Sequence, residues 1–217
     1  MKTKLKDVCN VLVPMRDKPK YFVDKENGIP WCRIEDIEGK YLNTSLSNKY
    51  VDKETIDKLR LKVFPQGTVI TAVTGASIGT YAITTQDLVT NQTFAGLLCR
   101  KDLYNNFLYY FINLYTKNFI NMSVGCAQAY ITRESLEEIE LNLPTIEEQK
   151  GIVKILECID NQIENNNKIN KELERIAKTL YNYWFVQFDF PDENKRPLIS
   201  RIFALLSNPF RLVVQYA

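Results

Sequence analysis

The fold is decided by one segment, PTIEEQKGIVKILECIDNQIENNNKINKELERIAKTLYNYWF, which spans residues 144–185. After Pro144 it contains no proline and a single glycine, Gly151, which predicts one long helix. Thr145 followed three residues later by Glu148 has the pattern of a capping box, and the acidic first turn suits the positive end of a helix. At a rise of about 1.5 Å per residue, ~40 residues span roughly 60 Å, more than one small domain.

This helix carries an apolar stripe with a heptad period. Two interleaved series occupy the a and d positions, and they are Ile152, Leu156, Ile159, Ile163, Asn166, Asn170, Leu173, Ala177, Leu180 and Trp184. Further apolar residues fall on the neighbouring g position, so the stripe is wider than a two-stranded seam requires. Much of it must therefore meet something other than its own small domain. Asn166 and Asn170 either fix the register and partner number of a coiled coil or mark a break or solvated kink.

The preceding residues alternate short apolar runs with turn residues. They predict strands at 31–34, 68–73, 81–84, 93–98 and 139–143, a helix at 105–119 and a helical turn at 135–139. The predicted fold class is α/β (α+β), with a mixed-sheet domain followed by a long coiled-coil-type helix. We expect the domain to cover residues 1–144 and the helix 145–187, and residues 188–217 to form a tail.

The composition excludes several classes of protein. The 217 residues include no histidine, and the net charge is only +2. The cysteines form no C-x-x-C pair, which argues against a zinc site; they are Cys9, Cys32, Cys99, Cys126 and Cys158. The charged N-terminus lacks the apolar region of a signal peptide, and no apolar run is long enough to span a membrane. We therefore expect a cytoplasmic protein with reduced thiols.

Six motifs follow one another along the chain. In order, they are Gly28-Ile29-Pro30-Trp31 with Asp36-Ile37, Gly75-Ala76-Ser77-Ile78-Gly79, Asn91-Gln92, Gly125-Cys126-Ala127-Gln128-Ala129-Tyr130-Ile131, the helix start 144–153, and Tyr181–Phe185 with Phe188–Pro191. Together they resemble one family, the specificity subunits of type I restriction-modification systems. None of the motifs is strong alone. Their order over about residues 5 to 191 makes the resemblance fairly specific.

The resemblance implies that the chain recognises a DNA sequence for partner enzymes and catalyses nothing itself. Such subunits read each half of a split double-stranded DNA site with one target-recognition domain, and their long helices dock DNA methyltransferase subunits. S-adenosylmethionine, ATP and Mg²⁺ then belong to the methyltransferase and restriction subunits. One domain and one helix resemble a half-subunit, and two copies that pair antiparallel through the helix would form a homodimer with a preference for an inverted repeat.

Two parts of the chain depart from the family pattern. Residues 13–19 lack a glycine that the family has early in the domain. Residues 195–217 do not resemble the usual linker into a second domain, and truncation or a frame change would explain them. We assign the tail no role.

Three stretches carry the residue types that contact DNA. Phosphates require basic side chains, while Arg, Gln and hydroxyl groups can read base edges. The candidates are Arg16, Lys18, Lys20 and Tyr21 in a basic arm, Thr74, Gly75 and Ser77 in a glycine-bounded loop, and Gln128, Tyr130 and Arg133 near Gly125. Each stretch also has a structural interpretation: a solvated charged face, turn geometry, or a hairpin in which Gln128 braces backbone groups. Asn91 and Gln92 are expected to be structural.

Complete catalytic motifs are missing from the sequence. Asn208-Pro209-Phe210 is only a fragment of a methyltransferase element, and Glu38-Gly39-Lys40 is only part of a nuclease pattern. There is no Walker loop. The alternative function, from a different class, is a coiled-coil protein-interaction scaffold that does not read DNA, and the near-neutral charge favours it. Salt-dependent DNA binding distinguishes the two.

Overall fold

The computed structural model describes residues 2–14, 18–42, 44, 47–122 and 130–183. The chain divides into two compact units, Met1–Glu157 and Cys158–Ala217. The first unit contains every strand given below and the beginning of the last helix. The described part of the second unit is the remainder of that helix.

A six-stranded sheet carries most of the core, in the order β2-β11-β8-β9-β5-β4. Its strands are β2 (Cys9–Leu12), β4 (Ile37–Glu38), β5 (Tyr41–Leu42), β8 (Val69–Ala72), β9 (Tyr81–Thr84) and β11 (Phe94–Cys99). The central strand β8 is buried at every position, as its β-branched and apolar composition predicts. β8 and β9 form an antiparallel hairpin, whereas β5 joins β9 in parallel, so the sheet is mixed.

A second sheet of four strands has the order β6-β3-β10-β7. Its strands are β3 (Ile29–Cys32), β6 (Tyr50–Val51), β7 (Val63–Phe64) and β10 (Leu88–Thr90). β3 begins two residues before the predicted start, since the Gly28–Pro30 turn signal lies partly inside the strand. Pro30 is tolerated because pairing with β10 begins only at Trp31, so no hydrogen bond to β10 is lost at the proline.

Five α-helices, three short 3-10 helices and a small two-stranded sheet complete the described structure. The helices are α1 (Leu5–Val8), α2 (Lys53–Leu59), α3 (Asn105–Met122), α4 (Arg133–Glu137) and α5 (Ile146–Tyr181). β1 (Lys2–Lys4) pairs antiparallel with β12 (Glu140–Asn142), so the N-terminus lies beside the strand that precedes α5. Leu108 and Ile112 of α3 are buried in the same cluster as Val69 and Ile83 of the six-stranded sheet.

The predicted fold class is confirmed. Helix α5 begins one residue after Thr145, and the capping box is present: Thr145 N donates to Glu148 Oε2 at 2.9 Å, and Glu148 N donates to Thr145 Oγ1 at 3.4 Å. The helix continues through residues 165–167, so the three asparagines do not break it. In the portion of the chain that the structure describes, none of the helices has the length and apolar character needed to cross a membrane.

Candidate nucleic-acid interface

The loop that joins β8 to β9 has a backbone built around two glycines. Gly75 and Gly79 have φ values of 67° and 90°, in the left-handed region that favours glycine. Gly75–Ser77 form a 3-10 turn, and Thr80 N donates to Ser77 O at 3.0 Å. A Cβ on Gly75 would meet nothing within 4 Å, so the backbone of this turn is open to an approaching ligand. The turn-geometry interpretation of the two glycines is therefore correct, and it is compatible with a contact role.

Tyr130 lies directly beside this loop. Thr74 and Tyr130 form an isolated antiparallel bridge, and Ile131 N donates to Val73 O at 2.8 Å. The Tyr130 side chain is 45% exposed, whereas Thr74 and Ser77 are half-buried. The structure thus brings together four of the predicted contact residues, although they come from stretches more than fifty residues apart in the sequence; they are Thr74, Gly75, Ser77 and Tyr130. Gln128 lies outside the described residues.

Arg133 begins helix α4, which follows Tyr130. Its Nε donates to Glu137 Oε1 at 2.6 Å, one turn further along the helix. Hydrogen bonds from its own backbone amide and from Thr132 hold the pKa of Glu134 below its usual range, so α4 also carries a second carboxylate. Glu134 therefore adds a negative charge to α4 beside the Arg133–Glu137 ion pair.

The basic arm lies on the other sheet. Lys18 and Lys20 are exposed, and Tyr21 is 84% exposed, while Arg16 lies outside the described residues. Val23 forms a bridge with Tyr50 of β6, which fixes the end of the arm to the four-stranded sheet. The structure therefore places the arm and the β8–β9 loop on different sheets.

Sequence reasoning missed Lys49, which lies next to this arm. Its Nζ is 4.9 Å from the ring centroid of Phe22, and that ring in turn packs at 6.3 Å from Trp31. An aromatic side chain beside a lysine is typical of surfaces that bind single-stranded nucleic acid. The contact depends on the strand pairing of β3 with β6, which no local sequence signal indicates.

A buried glutamine joins the start of α5 to the segment that precedes α3. Gln149 is fully buried; its Oε1 accepts from Tyr104 N at 2.8 Å, and its Nε2 donates to Asp102 O and Pro144 O, both at 2.9 Å. The sequence places Gln149 within the helix-start motif but assigns it no function.

Lys40 belongs to the same junction. Its Nζ lies 2.7 Å from Glu157 Oε1 and 5.0 Å from the ring centroid of Tyr110. Among the residues that the structure describes, no group of three potential metal-ligating side chains is found.

Asn91 has the structural role that was expected. Its Oδ1 accepts from Thr93 N at 3.2 Å and also from the Thr93 hydroxyl, which closes an Asx turn ahead of β11.

The heptad stripe of α5 is largely exposed in the single chain. The a and d residues that are exposed are Ile152, Ile159, Ile163, Asn166, Asn170, Leu173, Ala177 and Leu180, whereas Leu156 is half-buried. Trp184 lies outside the described residues. Exposed isoleucines and leucines at a regular spacing are typical of a surface that binds another helix.

A family model described as "Type I restriction modification DNA specificity domain" matches residues 1–175. The chain belongs to this family. Curated specificity-domain relatives include the Methanocaldococcus jannaschii type I restriction enzyme MjaIX specificity subunit, which is 29% identical over 86% of this chain and 44% of its own length. The Haemophilus influenzae HindI specificity subunit is 44% identical over 27% of this chain and 13% of its own length.

Solved structures share the fold of this specificity domain. A chain from a type I restriction-modification complex has a TM-score of 0.66 at 21% identity, over 83% of this chain and 43% of that chain. The HsdS subunit of Thermoanaerobacter tengcongensis has a TM-score of 0.64 at 19% identity, over 85% of this chain and 44% of that chain. The chain thus spans less than half the length of these relatives.

Proposed function

We propose that this chain is the sequence-specific DNA recognition component of a type I restriction-modification system. The observation that carries the proposal is the meeting of the β8–β9 loop with Tyr130 in a chain that belongs to the specificity-domain family. The loop presents hydroxyl groups and open backbone, and Tyr130 presents an exposed amphipathic ring beside them. In this proposal the chain reads DNA in the cytoplasm, and partner methyltransferase and restriction subunits modify it.

The two sheets take different parts in the proposed interface. The β8–β9 loop, Tyr130 and Arg133 contact base edges, because they offer hydroxyl groups, an amphipathic ring and a guanidinium. Lys18, Lys20 and Tyr21 contact the phosphate backbone, which supplies affinity without sequence information. To contact a base, Arg133 must give up its ion pair with Glu137. The contact is therefore favourable only where the hydrogen bonds to the base make up for the lost ion pair.

The proposed division of the chain gives the recognition role to residues 1–144 and the docking role to the helix, residues 145–187. Two copies pair through the a and d stripe of α5, and the methyltransferase subunits dock along the same helix. The exposed isoleucines and leucines of the stripe support the pairing, since a helix gains most of its stability from burying such a face.

Recognition is tested by co-expressing the chain with methyltransferase subunits of its system and sequencing the methylated DNA of the host. We expect one defined motif to be methylated, and we expect Tyr130→Ala to abolish or change it. In parallel, the affinity of the purified chain for duplex DNA should fall linearly with salt on a log–log scale. A chain with no salt slope and no methylated motif would be the protein-interaction scaffold instead.

Pairing is tested by measuring solution mass with light scattering. Ile163 occupies a stripe position and is 53% exposed in the single chain. Ile163→Lys places a charge in the proposed seam and should shift the protein to monomer. Asn165→Lys, on the outer face of the same helix, is the matched control and should remain dimeric. Equal masses for both variants would count against pairing through this stripe.

A further inference from the structure

The junction between α5 and helix α3 forms one connected network. Glu157 Oε1 accepts from Lys40 Nζ at 2.7 Å and from Asn106 Nδ2 at 2.9 Å. Asn106 Nδ2 also donates to the Tyr104 hydroxyl at 3.1 Å, and Tyr104 N donates to Gln149 Oε1 at 2.8 Å. Gln149 and Glu157 are about two helical turns apart on α5. Their side chains therefore hold the start of α3 at two points.

The Lys40–Glu157 pair is more shielded from water on its lysine side than an ordinary surface ion pair. The Lys40 side chain is only 14% exposed, and its ammonium group lies 5.0 to 5.7 Å from three tyrosine ring centroids, those of Tyr41, Tyr109 and Tyr110. Aromatic rings exclude water and attract the cation, so the charge has little solvent to compensate for a lost carboxylate.

The other part of α3 packs against the β8–β9 loop. A Cβ built on Gly79 would lie 2.5 Å from Thr116 Cγ2, so the loop backbone is in close contact with α3 at this point. Tyr109 of α3 also packs edge-on against Tyr81, the first residue of β9, with ring centroids 5.0 Å apart. Asn106 and Thr116 are about 15 Å apart along the helix axis, and a helix is stiff over that length. A rotation at one end of α3 therefore reaches the loop.

We propose that Lys40, Glu157 and Gln149 are positioning residues for the recognition loop. They fix α3 against the start of α5, and α3 in turn fixes the loop that begins beside Tyr130. The start of α5 and the order of the loop are thereby coupled. The effect of this coupling on DNA selection rests on the proposed DNA-reading function. The mechanical part rests only on the contacts within the first unit.

The mechanical part is tested by hydrogen exchange on the full chain. The informative amides are those of Ile78, Gly79 and Thr80, which donate hydrogen bonds within the loop or to its flanking strand. We expect Glu157→Gln to accelerate their exchange about tenfold. The β1–β12 amides, which lie in a separate sheet, should be unchanged. Glu164→Gln removes an exposed ion pair with Lys168 on the same helix and is the matched control.

The functional part is tested by selecting duplexes from a randomised DNA pool with the chain in its co-expressed complex. Glu157→Gln should select a degenerate motif, while Lys40→Arg, which keeps the cation and its aromatic contacts, should select the motif of the parent. Faster exchange in both the loop and the β1–β12 pair would indicate general destabilisation and overturn the proposal. Unchanged loop exchange, or a loosened loop with an unchanged motif, would also overturn it. If the unsubstituted complex selects no motif, the DNA-reading function fails, whatever the exchange data show.

Discussion

Gly79→Ala is the substitution for which the structure predicts the most specific energetic consequence. Gly79 is buried, its φ is 90°, and an added Cβ would lie 2.5 Å from Thr116 Cγ2. Thr116 cannot easily turn away, because its hydroxyl donates to Ile112 O at 3.0 Å and a β-branched side chain has few rotamers in a helix. Alanine at this position therefore meets both backbone strain and a steric clash.

The expected cost is the sum of these two effects. A non-glycine residue in the left-handed region costs roughly 1–2 kcal/mol, and forcing an extra methyl into a packed site costs about 1–3 kcal/mol. Gly79→Ala should therefore lower the free energy of unfolding of the first unit by roughly 2–5 kcal/mol. Alanine also reduces the entropy of the unfolded chain by an equivalent of about 0.4–1 kcal/mol, but this effect is common to any Gly→Ala control.

Two variants separate strain from clash. Gly75→Ala has a positive φ of 67° with open space around it, so it should show the strain alone, about 1–2 kcal/mol. Adding Thr116→Ser to Gly79→Ala removes the clashing methyl and should recover roughly 1–3 kcal/mol. Urea denaturation followed through the fluorescence of buried Trp31, in a Trp184→Phe background, reports on this unit. Equal losses at Gly75 and Gly79, with no recovery from serine, would refute the reasoning.

The remaining predictions concern the two ends of the first unit and the centre of α5. Gln149→Ala leaves three backbone groups without their partner and should cost about 2–4 kcal/mol in urea denaturation; exposed Gln162→Ala on the same helix should be neutral. Bonds from two lysines hold the pKa of Glu138 at about 2, below its ordinary 4.5, so its stabilisation is present above pH 4.5 and is lost as the pH falls toward 2. Glu138→Gln should reduce the dependence of the melting temperature on pH in that range. A pH profile as steep as that of the parent would contradict this. Replacing Asn166 and Asn170 with isoleucine should stabilise helix association but allow mixed oligomers, visible by light scattering; a single unchanged species would favour a merely solvated role.

The long elements could be predicted from the sequence because their signals are local. The heptad period, the capping box and the absence of proline predict α5, and a β-branched, apolar run followed by a glycine-bounded loop predicts the β8–β9 hairpin. The two-residue strands β4 to β7 could not be predicted, since a run such as Tyr41–Leu42 carries no periodicity. Such strands exist only because the chain packs a neighbour against them.

The candidate interface was only partly predictable for the same reason. The hydroxyl groups and glycines of the loop are a local signal, and Tyr130 belongs to a separate motif. The bridge between Thr74 and Tyr130 is a tertiary contact, which neither motif predicts. Two of the three main-chain partners of Gln149 lie 45 and 47 residues away, at Tyr104 and Asp102. Backbone acceptors are the same at every residue, so they leave no pattern in a sequence that could indicate such a bond.

The width of the α5 stripe bears on how pairing and docking can coexist. A two-stranded seam covers the a and d positions, and a partner helix on those positions leaves much of the g position uncovered. Ile155 and Ile169 occupy g and are 66% and 56% exposed, so a paired helix would still present large apolar side chains beside the seam. Because those residues lie at one edge of the stripe, a second copy and a methyltransferase subunit can bind different faces of the same helix. The proposed pairing therefore does not compete with the proposed docking, and monomerisation by Ile163→Lys should weaken docking less than a charge placed at Ile169.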